Sequence, residues 1–168
     1  MKLQKIMDKI KLGISSCLLG ESVRYDAGHK LDHFLKSAFD KLVEWVSVCP
    51  EAECGLGIPR EAMHLTGALE SSRLVTNLTN IDYTDKMLKW AEKRLKELKK
   101  EKISGFIFKA NSPSCGLYNV LHEKGTGIFA MALMRYFRAL PVEDEERLRD
   151  ESVRKKFIED ISIYSSNQ

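Results

Sequence analysis

The sequence has no Cys-x-x-Cys pair, no repeat or low-complexity segment and no apolar stretch long enough to cross a bilayer. Its longest strictly apolar run, residues 128–134, falls far short of the roughly 20 residues that a membrane-spanning helix needs. The basic start, residues 1–11, lacks the apolar centre of a secretory signal. These absences predict a soluble, cytoplasmic protein without membrane association. Charge of one sign is also scarce, because the formal net charge is only +3. Lys96, Lys99, Lys100 and Lys102 are offset by Glu97 and Glu101, so the stretch reads as a solvated helix face, with a weak attraction to phosphate-bearing substrates left open.

What is present is an ordinary globular composition, 43% hydrophobic and 30% charged over 168 residues, which suits one domain with one sizeable core. The expectation is a single domain over residues 1–168, with its core in 11–144 and a last helix at about 150–164. Short apolar runs at 11–15, 46–48, 73–76 and 105–109 read as strands buried on both faces. Between the first two, Phe34, Leu35, Ala38, Phe39, Leu42 and Val43 recur at helical spacing after Asp32, an expected N-cap. A second helix is predicted at 84–100, with Leu88, Ala91, Leu95 and Leu98 as its core stripe, and a buried third after Thr126. In the last helix Val153, Phe157, Ile161 and Tyr164 share a face.

Strands alternating with helices imply right-handed crossovers and an α/β fold, a mainly parallel sheet between two helix layers. The segment 50–69, with Gly55, Gly57, Pro59 and Gly67, is long for a connection and reads as a binding loop.

Four cysteines in a reducing compartment favour metal binding or catalysis over disulfides. Cys17, Cys49 and Cys115 each follow a predicted strand. In an open parallel sheet the carboxyl ends lie on one side and ligands bind outside them, so three thiols distant in sequence are expected to meet there. Thiolates suit soft metals, and spacing alone does not separate a zinc ion from an iron-sulfur cluster. Cys54, five residues after Cys49, is the remaining candidate for a fourth ligand.

Residues 13–20 (GISSCLLG), 23–30 (VRYDAGHK), 49–51 with 55–61 (CPE and GLGIPRE), and Lys109 with 112–116 (SPSCG) together resemble the thiouracil desulfidase family; residues 125–130 and 140–143 add to the likeness. Ala27 and Ala52 depart from the family's usual residues without removing a presumed ligand. The resemblance implies a 4Fe-4S cluster held by Cys17, Cys49 and Cys115, whose fourth iron is open for substrate sulfur or hydrosulfide. It implies a non-redox reaction that turns the thiocarbonyl of a small thiolated uracil (thiouracil, 4-thiouridine or its monophosphate) into a carbonyl and releases sulfide. Two alternatives stand beside it: an electron-transfer or structural module closed by Cys54, and a desulfidase acting on 4-thiouridine in tRNA. Some family members carry a further C-terminal domain linked with tRNA, which is not expected in a chain ending at Gln168.

Residue chemistry then suggests roles. Glu51 is a candidate to activate water or protonate a ring nitrogen, Ser112 to hydrogen-bond the ring or developing charge, and Asp26 to contact substrate or Lys30. Arg24, His29, Lys30, Arg60 and Lys109 suit a substrate phosphate or carboxylate. The amides around Thr126 and Gly127 form a further candidate anion site. His33, His64 and His122 lie outside the motifs and are read as solvated or satisfied. The sequence leaves the oligomeric state open.

Overall fold

The computed structural model describes residues 9–118, 120 and 125–168; His122 lies outside the described residues. The main sheet is built from β1 (Ile10–Ser15), β2 (Val43–Val48), β5 (Phe106–Phe108) and β6 (Val142–Asp144), in the order β2-β1-β5-β6. Every pairing in it is parallel. Between β2 and β5 the chain forms an antiparallel hairpin of β3 (Met63–Thr66) and β4 (Arg73–Thr76), separate from the main sheet.

Two helix layers sandwich the main sheet. Helices α1 (His33–Phe39) and α5 (Glu151–Ser166) cover one face, where Leu35, Phe39, Phe157 and Ile161 pack with Leu12, Ile14 and Ile107. Helices α3 (Thr84–Glu101) and α4 (Ile128–Tyr136) cover the other, where Met87, Leu95, Phe129 and Leu133 pack with Val46, Val48, Phe106 and Phe108. A short helix α2 (Pro50–Glu53) follows β2. The predicted α/β class and three-layer build are therefore observed.

The chain leaves β1 to make β2 on one side and later makes β5 on the other. That reversal opens a crevice at the carboxyl ends of β1 and β5, the place where open parallel sheets take ligands.

Several element assignments need correction. The segment 73–76 is a strand, but it pairs with Met63–Thr66 rather than the main sheet. The expected binding loop 50–69 holds α2 and β3, and β6 lies in a run read only as part of a motif. Helix α1 stops at Phe39, because Val43 must already pair with Ile10 in β1; Leu42 is left exposed in the turn. On α3 the buried row is Met87, Ala91, Leu95 and Leu98. Leu88 is one residue, about 100°, off that row, and it lies exposed on the outer side.

Two features fix the layers. Asp32 caps α1 by accepting from the Leu35 amide at 2.9 Å and also pairs with Arg149, at 2.5 Å, just before α5. Gly13 has no side chain because Phe106 lies over it: a Cβ there would sit 2.3 Å from the ring, and the fully buried Phe106 has nowhere to move.

Gly13→Ala is expected to lower stability by about 1–3 kcal/mol through overpacking. Asp32→Ala is expected to cost about 1–2 kcal/mol through the lost cap. Urea unfolding curves measure both, with the midpoint falling at unchanged slope.

Candidate functional site

A cavity of about 260 Å³ opens outside the carboxyl ends of β1, β2 and β5. Cys17 comes from the 3₁₀ turn Ser16–Leu19 directly after β1, Cys49 from the junction of β2 and α2, and Cys115 from the loop after β5. All three line this cavity, so the sheet brings together residues 32 and 66 positions apart in sequence. Cys54 does not line it; it is buried in the apolar layer with α3.

Burial raises all three thiols. Burial pushes Cys17 up to about 11, the nearby Cys49 adds to the rise, and Lys109 and Arg24 oppose it. Burial likewise raises Cys49, against hydrogen bonds from the Ala52 and Glu51 amides. It raises Cys115 well above the ordinary thiol value, against a hydrogen bond from Ser15, and the charges of Cys49 and Cys17 add to the rise. Cys17 and Cys115 thus both sense Cys49. Among the described residues no group of three His, Cys, Asp or Glu side chains is drawn together tightly enough to hold a single metal ion.

Local structure fixes each thiol. Cys49 is the N-cap residue of α2, with Pro50 at the first helical position, and its amide donates to the Glu53 carboxylate at 3.0 Å. The Cys115 loop is tied down from two sides. Ser112 Oγ accepts from the amides of Cys115 at 3.1 Å and Ser114 at 3.3 Å. The first amides of α4 reach back to the same loop: Gly127 N–H donates to Gly116 O at 2.7 Å, Ile128 to Pro113 O, and Phe129 and Ala130 to Ser114 O.

That last pattern corrects one expectation. The amides at Gly127 and beyond are spent on the cysteine loop and offer no anion site, while the Thr126 hydroxyl donates to Leu117 O at 3.0 Å outside the cavity. Asp26 and His29 also lie outside the lining. Asp26 accepts from the Gly28 amide of its own turn, and His29 Nδ1 accepts from the Leu31 amide. Both are exposed turn residues. His64 binds Asn77 on the hairpin, with Nδ1 and Oδ1 2.7 Å apart.

The other expected residues do meet at the cavity: Arg24, Lys30, Glu51, Arg60, Lys109 and Ser112. Their partners differ. Arg60 donates to Glu51 Oε2 through Nε at 2.8 Å, and its Nη2 is ion-paired with the same oxygen at 2.7 Å. Lys109 pairs with Glu145 and donates to Ala110 O. Arg24 is loosely paired with Asp26 at 3.7 Å and stacks on Tyr25. Lys30, exposed at the rim, also lines a second cavity of about 650 Å³, which shares Lys109 and reaches His33 and Arg149.

Sequence reasoning missed two residues. Ser114 is buried and donates to Glu51 Oε1 at 2.8 Å; it stood in a quoted motif, but a second serine beside a proline gave no separate signal. Glu145 is buried and accepts from Lys109 and from the Ala110 amide. It lies in the acidic run 143–146, which composition alone cannot tell from a solvated surface.

A family model of 2-thiouracil desulfurases matches residues 12–145. The chain belongs to that family. It is thus a desulfidase, and the matched span includes every residue lining the cysteine cavity. An uncharacterised Bacillus subtilis protein, YbbK, is 32% identical over 114 residues, covering 63% of this chain and 75% of its own length. A solved structure of a protein described as the [4Fe-4S]-dependent thiouracil desulfidase TudS superposes with a TM-score of 0.69 at 29% identity, covering 88% of this chain and 99% of that one.

In this desulfidase Gly127 lets α4 press against the cysteine loop, since a Cβ there would fall 2.5 Å from the Ser114 carbonyl carbon and 2.9 Å from the Cys115 nitrogen. Both are backbone atoms, so the loop itself must shift. Gly127→Ala is expected to keep the secondary structure, measured by circular dichroism, and to lower stability by about 1–3 kcal/mol through overpacking, measured by urea unfolding.

Proposed function

We propose that the chain hydrolyses the carbon-sulfur bond of a thiolated uracil compound, using a 4Fe-4S cluster held by Cys17, Cys49 and Cys115. The observation that carries this reading is that these three cysteines, and not Cys54, line one cavity at the switch point of the sheet. The donor set fits the group. Three thiols face a common space without the close packing that a single ion would need, and thiolate is the ligand that such clusters take. The [4Fe-4S] dependence of TudS, whose structure aligns over nearly all of its length, supports the same cofactor.

With three cysteine ligands the bound cluster would supply an open, Lewis-acidic iron that polarises the carbon-sulfur bond and takes the departing sulfide. The balance is hydrolytic. Water adds to the ring carbon, the carbon-sulfur bond breaks with its electron pair leaving on sulfur, and the products are the uracil compound and hydrogen sulfide. Nothing is oxidised or reduced.

The chain's own residues handle the proton and the ring. Glu51, beside the cavity and only 13% exposed at its side chain, is the general base for water or the donor to a ring nitrogen, a role typically worth about 10²- to 10⁴-fold. The Ser112 hydroxyl, which accepts from two backbone amides and lies 3.1 Å from Ser114 Oγ, turns its one proton from Ser114 to the ring when substrate binds. Lys30 and Lys109 border both cavities, so a ring seated at the cysteines has room to extend a ribose phosphate past them. This favours a thiouridine monophosphate as substrate. The four cysteines are free thiols, as a reducing cytoplasm requires, and among the described residues no helix is long and apolar enough to cross a membrane.

Anaerobic reconstitution followed by iron and sulfide analysis tests the assignment. Single serine replacements at Cys17, Cys49 and Cys115 are each expected to abolish stable cluster and turnover, whereas Cys54→Ser keeps both. Loss of the cluster in Cys54→Ser favours the closed module, and full activity in cluster-free wild type overturns the proposal.

Turnover of 4-thiouracil, 4-thiouridine monophosphate and thiolated tRNA fixes the substrate's size. The monophosphate is expected to have the highest kcat/KM. Lys30→Ala is expected to raise KM for it by roughly fivefold, the scale of an exposed ion pair, without changing KM for the free base.

A further inference from the structure

We infer that Arg60 and Ser114 are positioning residues that hold the Glu51 carboxylate from both ends, leaving Oε1 as its working atom, and that Arg60 does not bind substrate. The inference rests on the desulfidase reading of the cavity and adds to it the residues that orient its acid-base group.

The guanidinium of Arg60 is 7% exposed and already committed. Nε donates to Glu51 Oε2 at 2.8 Å, Nη2 lies 2.7 Å from the same oxygen as an ion pair, and Nη1 donates to Gly57 O at 3.0 Å. A guanidinium is a planar, rigid fork, and here two of its nitrogens crowd one oxygen. Oε2 is thereby covered by Arg60. Oε1 takes one hydrogen bond, from the buried Ser114 hydroxyl at 2.8 Å. One acceptor site on Oε1 therefore remains, on a carboxylate that borders the cavity.

The same two residues link Glu51 to the rest of the site. The Arg60 amide donates to Tyr25 O at 2.9 Å, which joins the 55–60 turn to the loop that carries Arg24. Ser114 Oγ lies 3.1 Å from Ser112 Oγ. Because the Ser114 proton goes to Glu51, Ser112 is the donor in that contact. Glu51, Ser114 and Ser112 thus form one connected row beside Cys115, with Arg60 at its end. A side chain held at both oxygens cannot swing, and a 1 Å misplacement of a reacting group can cost about 10²-fold in rate.

A double-mutant cycle with Glu51 separates positioning from substrate binding. Arg60→Met is expected to lower kcat about 10²-fold on free 4-thiouracil and on the monophosphate alike, with KM within about twofold and iron content unchanged. In a Glu51→Gln background the same replacement is expected to change kcat by less than about twofold, since residues acting through one group are not additive. Ser114→Ala should follow the same pattern with a smaller loss.

A rise in KM for the monophosphate with kcat held would make Arg60 a phosphate ligand and overturn the inference. Equal losses in the two backgrounds would do the same, because Arg60 would then act independently of Glu51. Where Arg60→Met fails to retain the cluster, Arg60→Lys and Ser114→Ala are carried through the cycle and decide by the same criteria. A wild-type holoenzyme that turns over no thiolated uracil defeats the functional reading itself, whereas an active wild type with an additive cycle defeats only the positioning role.

Discussion

The site depends on how the first turn of α4 is satisfied. A helix leaves its first four amides without partners inside the helix, and here those amides bond to the carbonyls of the loop that carries Cys115. The arrangement serves both elements. The helix, apolar on nearly every side, is buried against β5 and α3 without stranding polar groups, and the cysteine loop acquires a rigid edge. Ser112 closes the other edge by accepting the Cys115 and Ser114 amides. A loop bound on both sides has little freedom to choose where its thiol points.

The same logic explains which parts were legible in sequence. Strand β5 is a continuous apolar run, the signature of a strand covered on both faces, β1 carries the buried Leu12 and Ile14, and the cysteines after them are placed by chain direction. Their convergence therefore followed from a count of strands. The pairing of residues across the cavity did not. Nothing local in Ser114 tells that its hydroxyl reaches Glu51, 63 positions away, and a cation near a motif, such as Arg60, gives no sign that Glu51 is its partner. Segment 50–69 was opaque for a different reason: its glycines and prolines mark turns, yet Met63–Thr66 becomes a strand only because Arg73–Thr76 is there to pair with it. Tertiary partners supplied what local propensity lacked.

Two ion pairs flank the thiols, and neither is explained by stability. Arg60 with Glu51 and Lys109 with Glu145 are both largely withdrawn from water, where the cost of desolvation can exceed the Coulombic gain. What they provide is direction. Glu145, just past β6, takes both the Lys109 ammonium and the Ala110 amide, so it fixes the start of the cysteine loop from the edge strand. Lys109 in turn donates its own amide to Ser15 Oγ at the end of β1. Strands β1, β5 and β6 are thus tied together at the carboxyl side by side chains as well as by the sheet.

Cys54 shows that proximity in sequence does not bring two thiols to one cavity. It lies one helical turn past Cys49, and a turn of helix carries the chain from the cavity into the apolar layer beneath, where Cys54 is 8% exposed. Burial pushes its thiol up to about 11, and the thiol donates to the Glu51 carbonyl at 3.5 Å. A buried cysteine used this way behaves as a small apolar residue with a weak donor. Its bond steadies the backbone of Glu51, while Arg60 and Ser114 hold the carboxylate. The fourth thiol therefore contributes to the site from below, while the other three line the cavity itself.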